Sequence, residues 1–572
     1  MLDPKQILIK YWGYTNFRPL QKEIIESVIT GNDTLAILPT GGGKSICFQI
    51  PSLIQDGICI IITPLISLMH DQVRHLKSKG IKTVSINAEK SLHEIEVALG
   101  NCINGNYKFL YISPERLEMK LVQNSINKMN INLITVDEAH CITEWGYDFR
   151  PSYLKISKIR ELKPNVPILA LTATATEDII DDIQNKLKFR KNNLLKASFN
   201  RDNLSYVIIE SKNKKNKLLN LLEHFKTSAI VYTKSRKETE AISMFLKDNK
   251  ISSDYYHAGL EIKIRERKQE LWYNGQIRVM VATNAFGMGI NKENVRVVIH
   301  LNIPYSIESY FQQVGRAGRD GKLAYAILIK QKDEINNLKK FLLNKFPTEN
   351  EIRTCYQKIA DNFHIAVDTG FGKSFNFEII SFCRRYNLEI YKTYNIIKYL
   401  ENEGLIRLTD YNYSRSKLHI IVNNQELYRF QVSNSYYDSF IKLLLRSYSG
   451  LYESYIKIDE LKLASKFNST LEKIIDILKR LHKLNIVDYI PENNSPRIIF
   501  TNNRCDSDNI IIPKDRLENK KELIIRKLDL VTKYIQNKET CRSIQLLEYF
   551  GEKHNIMCGK CDVCVEKKII NK

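Results

Sequence analysis

Three short stretches of this 572-residue chain combine residue types and spacings that suit chemistry. The first is Pro39-Thr40-Gly41-Gly42-Gly43-Lys44-Ser45. Clustered glycines leave backbone N–H groups free to wrap a phosphate, and the helix that follows adds a favourable field at its N-terminus. In such a loop Lys44 touches the β- and γ-phosphates and the Ser45 hydroxyl ligates magnesium. The strict pattern has a glycine where this chain has Leu38. The second stretch is Asp137-Glu138-Ala139-His140, which ends an apolar run. Adjacent acids at the carboxyl end of a buried strand are poorly explained as packing. Asp137 is suited to hold magnesium through water and Glu138 to orient or deprotonate an attacking water, with His140 beside them as a further catalytic candidate. The third is Cys541, followed at a distance by Cys558, Cys561 and Cys564. Four thiolates so spaced suit tetrahedral zinc with every position filled by protein, which is a structural site. A redox pair at Cys558 and Cys561 would need two thiols, not four; His554 is the alternative donor.

These groups need a scaffold, and the hydrophobic pattern supplies one. Residues 35–38 read as a strand running into the glycine loop, and residues 131–136 as a second strand ending at the acids. Ligands of open α/β sheets gather at the carboxyl ends of the strands, where both motifs stand. The same alternation returns in TSAIVYTKSRKETEAISMFL, IRVMVATNAFGMGI and VRVVIHLNIP, so a second parallel-sheet domain is expected. Lys plus Arg outnumber Asp plus Glu by 86 to 64, a formal charge of +22. That surplus favours a polyanionic partner, nucleic acid first, because each neutralised phosphate releases a counterion. With no apolar window of membrane-spanning length and no signal-like N-terminus, the expectation is a soluble, intracellular protein without a membrane partner. A monomer is the default.

Beyond residues and spacing, the order PTGGGKS, DEAH, LTATAT, VATNAFGMGINKENVRVVIH and SYFQQVGRAGRDG resembles superfamily 2 helicases. Its wording is similar to the RecQ family of DNA helicases over roughly residues 7–345. The resemblance implies two tandem RecA-like domains, at 1–205 and 206–345, using ATP with Mg2+. It implies an adenine-reading segment at FRPLQ, with Arg18 and Gln21, ahead of the phosphate loop of Thr40, Gly41, Gly42, Gly43, Lys44 and Ser45. It also implies that Thr172 and Thr174 link the ATP and DNA sites. Arg319 would be the arginine finger, supported by Arg316. The aromatic-rich segment after the acids, with Trp145, Phe149 and Arg150, resembles the family's single-strand-contacting loop, where stacking contributes about 1 to 3 kcal/mol per base. Glu144 stands where the family commonly has Gln.

The second half departs from the usual family order. Residues 346–373 read as a bridge, and two stretches, 374–425 and 426–505, share a winged-helix grammar of two helical periods, a short apolar run, a polar turn and a β-rich run. The cysteines follow, within a zinc-binding helical module expected at 515–572, and their wording resembles the RecQ zinc module. The fold class expected is therefore α/β: two RecA-like parallel-sheet domains, winged-helix-like segments and a C-terminal zinc module. The function expected is a 3′–5′ DNA helicase acting on single-stranded and branched DNA in recombination, repair or fork processing. Its setting would be a bacterial cytoplasm in association with the nucleoid, or a nucleus if the source is eukaryotic. The alternatives are an RNA helicase, whose signatures are absent, and a DNA-binding regulator whose ATPase serves only as a switch.

Overall fold

The computed structural model describes residues 3–570 except 65, 88–89, 144–153, 288–291, 345, 410–415, 449, 454, 492–495, 511 and 513, and for 67, 262, 514–517, 520 and 570 only the backbone. The chain forms two compact units, residues 1–339 with 522–572, and residues 340–521.

The first unit holds two parallel sheets. In the first, β1 (Thr34–Ile37), β2 (Ile58–Ile62), β3 (Thr83–Ile86), β4 (Phe109–Ile112), β5 (Ile131–Val136), β6 (Ile168–Thr172) and β7 (Leu194–Lys196) lie in the order β3-β4-β2-β5-β6-β1-β7. β1, β2, β4 and β6 are buried along their whole length, because helices cover both faces. This is why ICIII and FLYI read as unbroken apolar runs. The order makes β5, β6 and β1 neighbours, so the acids, the threonines and the phosphate loop leave the sheet side by side.

In the second sheet, β8 (Leu204–Glu210), β9 (Ala229–Tyr232), β10 (Ser253–Tyr256), β11 (Val279–Ala282), β12 (Val297–His300) and β13 (Ala324–Lys330) run in the order β10-β11-β9-β12-β13-β8. The duplication expected from the strand-helix alternation is present as a second parallel sheet. The C-terminal residues return to this unit. Val531, Tyr534, Ile535, Leu546, Leu547 and Phe550 belong to the same buried cluster as β1, β5 and the helix Ile307–Val314. The Phe550 ring lies 4.5 Å from that of Phe199 and 4.9 Å from that of Phe311.

The second unit, taken by itself, contains two small antiparallel sheets. Its strands are β14 (Ser374–Asn376), β15 (Ile406–Thr409), β16 (Lys417–Ile420), β17 (Ile456–Lys457), β18 (Val487–Ile490) and β19 (Arg497–Phe500), arranged as β14-β19-β15 and β17-β16-β18. Each sheet packs on helices in winged-helix order, but the third strands are exchanged. β16, which follows the first helix pair in sequence, sits between strands of the second module, and β19, which ends the second stretch, sits between strands of the first. The boundary expected at 425/426 is therefore corrected: one module comprises residues 349–409 with 497–512, and the other, residues 417–490, is nested in its wing. Local pattern does not resolve this exchange, because both strands alternate alike. Leu418 and Ile420 face one core, and Ile498 and Phe500 the other. The expected bridge at 346–373 is corrected too. It contains the helix Glu349–Asn362, started by a Thr348–Glu351 capping box, and Ile352, Cys355, Tyr356 and Ile359 of that helix are buried in the first module's core.

Candidate functional site

The phosphate loop follows β1 and enters the helix Ile46–Ile54. Gly41 and Gly43 adopt φ values of +85° and +78°, which a side chain would strain, and this turn aims the loop at the acids. Lys44 Nζ lies 3.4 Å from Glu138 Oε1. Glu138 itself sits at φ +50°, a left-handed conformation uncommon for a non-glycine residue, immediately after β5. Such outliers cluster where surrounding structure holds a functional group in place.

The two acids have opposite electrostatics. Burial pushes the Asp137 carboxyl up to about 6, against the pull of Lys44. Burial acts on Glu138 in the same sense, but Lys44, His140 and Arg316 outweigh it and hold that carboxyl below the ordinary glutamate range. Glu138 is thus held as an anion at neutral pH, and its place beside Lys44, not its basicity, marks it as the group to orient an attacking water. Asp137, half-buried beside the Lys44 amine, suits a cation partner. His140 Nδ1 is 3.0 Å from Thr172 Oγ1 and 3.5 Å from Glu138 Oε2. Thr172 Oγ1 in turn donates to the Thr174 carbonyl at 3.0 Å. The sequence-nominated threonines are joined to the acids through this histidine.

Gln21 is buried and held in place. Its Oε1 accepts from the Arg18 backbone N–H at 2.9 Å, and its Nε2 donates to the Gly43 carbonyl at 3.1 Å. Arg18 Nη1 donates to the Gly41 carbonyl. The pair braces the phosphate loop in this structure, a role beside the base contact expected from sequence. Ser45 Oγ accepts from Gln72 Nε2 at 3.2 Å, and Gln72 is a neighbour that no motif identified.

The second sheet completes the site. The helix Ile307–Val314 ends at Gly315, and a Cβ placed there would lie 3.1 Å from Thr40 Oγ1 of the phosphate loop. A Cβ on Gly41 would meet the Arg319 side chain at 3.2 Å. Arg316 is buried in the same place. Burial, then Arg316 and Arg201, push the Arg319 guanidinium down to about 9, and it remains cationic at neutral pH. Four guanidiniums, of Arg18, Arg201, Arg316 and Arg319, therefore act on one cleft that also holds Lys44. Trp145, Phe149 and Arg150, with Glu144, lie outside the described residues.

The four cysteines come together as a metal centre. Their sulfurs all lie within 4.8 Å of one another, and Cys541–Cys561 and Cys558–Cys564 are each 3.9 Å apart. Tetrahedral zinc with bonds of about 2.3 Å places sulfurs about 3.8 Å apart, so the donor set fits zinc. Backbone N–H groups of Cys558, Cys561 and Cys564 point at the sulfurs of Cys541, Cys558 and Cys561 at 3.3 to 3.4 Å, which stabilises thiolates. Arg542 braces the centre with a two-pronged contact to Asp562, at 3.0 Å from each of two nitrogens. His554 is not among the clustered donors of the described residues.

Two parallel sheets with a phosphate loop on one and paired arginines on the other define a two-domain, RecA-like core suited to a nucleoside triphosphate. The comparisons with known proteins agree. Residues 18–183 match the DEAD/DEAH box helicase family and 213–321 the helicase conserved C-terminal domain. Residues 418–491 match the RecQ helicase winged-helix domain of Bacteroidota and 502–565 the RecQ zinc-binding family. The match at 418–491 coincides with the nested module, including β16. The chain is 40% identical over 335 residues to the probable ATP-dependent DNA helicase RecS of Bacillus subtilis (strain 168), covering 58% of this chain and 67% of that protein. It is 42% identical over 358 residues to the ATP-dependent DNA helicase RecQ of the same organism, covering 62% and 60%. With RecQ of Haemophilus influenzae the figures are 41% over 340 residues, covering 59% and 55%. The chain belongs to the RecQ family of helicases, and it spans 55% to 60% of the length of the two RecQ proteins compared.

Proposed function

We propose that the protein is an ATP- and Mg2+-dependent DNA helicase of RecQ type that moves 3′ to 5′ along single-stranded DNA and separates duplexes. The observation that carries this reading is the meeting of Thr40 and Gly41 on one sheet with Gly315 and Arg319 on the other. Hydrolysis in such a cleft depends on closure of the two domains, and closing and opening can be harnessed to move along a strand. Backbone amides of residues 41–45 and the Lys44 amine hold the β- and γ-phosphates. Glu138 takes the proton of the water whose oxygen attacks the γ-phosphorus, and the bond to the β,γ-bridging oxygen breaks to leave ADP and inorganic phosphate. Arg319, with Arg316, neutralises charge developing on the transferred group, a contribution of about 10³-fold or more. Mg2+, when bound, supplies charge compensation on the phosphates, and Asp137 and Ser45 are the residues placed to hold it.

Trp145, Phe149 and Arg150 are the candidates for base stacking and strand contact. Branched DNA as substrate, a monomeric state, a role in recombination or repair, and a cytoplasmic, nucleoid-associated location are parts of the same proposal. Among the described residues, no helix is long and apolar enough to cross a membrane. Strand displacement tests the proposal, using a 3′-tailed DNA duplex against a blunt duplex and a 3′-tailed RNA duplex. ATP-dependent displacement of the tailed DNA alone is expected. Hydrolysis without displacement would return the regulatory-switch reading, and preference for the RNA duplex would return the RNA helicase.

A further inference from the structure

The loop carrying the two arginines is held by a segment that no motif marks. β7 ends at Lys196 and β8 begins at Leu204, so residues 197–203 are the crossover between the two sheets. Arg201 Nη2 donates to the carbonyls of Ala317 and Gly318, each at 3.0 Å. Those are the carbonyls of the two residues between Arg316 and Arg319. Asn203 Nδ2 donates to the same Gly318 carbonyl at 2.6 Å and to that of Lys322 at 3.0 Å, and its Oδ1 accepts from Arg201 Nε at 3.3 Å. Gly318 has φ +61°, and a Cβ there would stand 2.5 Å from Asn203 Nδ2, so the approach requires glycine.

The other end of the crossover is anchored. Glu552 accepts from Ser198 Oγ at 2.7 Å and from the Phe199 backbone N–H at 2.8 Å, and Lys196 Nζ donates to the Phe550 carbonyl at 2.7 Å. The Phe199 ring packs against Phe550 with the two planes tilted by 31°. Both Glu552 and Phe550 belong to the segment that contains the four cysteines. Arg201 is thus presented from a fixed strap, and its charge lies close enough to Arg319 to disfavour a further cation there. A neutral donor would hold the carbonyls without that repulsion. A guanidinium in this position suits a cleft that receives a polyanion.

We propose that Arg201 is a positioning residue for hydrolysis, holding the Ala317–Gly318 peptides so that Arg316 and Arg319 face the phosphate loop. The proposal rests on the reading of the cleft as an ATPase. Its test is DNA-stimulated ATP turnover by the full-length, zinc-loaded protein, with fluorescent-nucleotide affinity, zinc content and urea midpoint measured alongside. Arg201→Gln is expected to lower kcat by about 10²-fold while KM moves less than about threefold, since small misplacements of catalytic groups act on the chemical step. Zinc content and urea midpoint should be unchanged, and Arg201→Lys should recover part of the loss. In an Arg319→Ala background Arg201→Gln should cost clearly less than in the parent, because it then acts through Arg316 alone and residues acting through one group are not additive. If the folded fraction of Arg201→Gln drops, Asn203→Ala carries the test, with a kcat loss of about threefold or more at unchanged KM. Unchanged kcat in these variants, or a loss that adds fully to that of Arg319→Ala, overturns the proposal. Full turnover in Arg319→Ala alone also overturns it, because Arg319 would then not be the group that Arg201 positions, whereas absence of turnover in the parent protein overturns the ATPase reading instead.

Discussion

The ATP cleft and the winged-helix unit are built on opposite terms. In the cleft, the phosphate loop, the acids and the threonines stand within a few residues of the ends of β1, β5 and β6, and the sheet order brings them together. In the winged-helix unit, two modules of similar pattern exchange their third strands, so partners lie about as far apart in sequence as β15 and β19. The difference teaches that phosphate chemistry constrains residue type and spacing tightly, whereas a short amphipathic strand accepts any edge with matching alternation.

The contrast can be broken or sharpened by substitution, beginning with the largest effect. Lys44→Ala removes the amine that lies beside Glu138 and that is proposed to hold the phosphates; ATP turnover should fall to background while circular dichroism and single-strand binding remain close to the parent's. Loss of the fold together with activity would show that Lys44 is architectural and that the cleft is no better defined than the wings.

Cys561→Ser takes one buried thiolate from a set of four, of which Cys558 alone is part-exposed. Zinc measured by mass spectrometry should drop from one per chain towards zero, and protease should cut within 522–572, because binding and folding of such a module are coupled. Retained metal would remove Cys561 from the donor set.

Phe550→Ala empties a position between Phe199 and Phe311 that is fully buried. Urea titration should register a loss of about 3 to 5 kcal/mol. A loss under about 1 kcal/mol would mean that the C-terminal segment contributes little packing to the motor.

Ile498→Ala addresses the strand exchange directly. Stability should fall by about 2 to 5 kcal/mol, and hydrogen exchange should quicken in the helix Ile390–Asn402 but not in Leu471–Lys483. The reverse pattern would mean that β19 pairs with its neighbours in sequence, and the exchange of strands would fall.

The smallest effect is expected from Trp145→Ala. DNA stimulation of the ATPase should drop severalfold, in line with about 1 to 3 kcal/mol of stacking per base, with basal turnover unchanged. Equal loss of basal and stimulated rates would make Trp145 a core aromatic.

Much of the site was legible beforehand. Lys44, Asp137, Glu138, Arg316 and Arg319 stand out in local wording and in the resemblance it carries, and the structure gathers them in one cleft. Gln72, Arg201, Asn203 and Glu552 were not legible. Each acts through hydrogen bonds to partners far along the chain or to backbone carbonyls, and a carbonyl leaves no mark on residue type. The helix at Glu349–Asn362 did carry a signal, the Thr348–Glu351 capping box, that its reading as a bridge passed over.

The phosphate loop, the paired acids, the arginine pair and the set of four thiols are written in residue type and spacing. Glycine conformations, helix starts and metal coordination act over short spans and demand particular residues. Only the tertiary structure decided that residues 541–564 return to the motor beside Phe199 and Phe311, that β16 and β19 trade sheets, and that Arg201 grips the arginine loop. Those choices rest on long-range pairing among surfaces of equivalent pattern, where the energies that discriminate come from packing and backbone hydrogen bonds, not from any residue's identity alone.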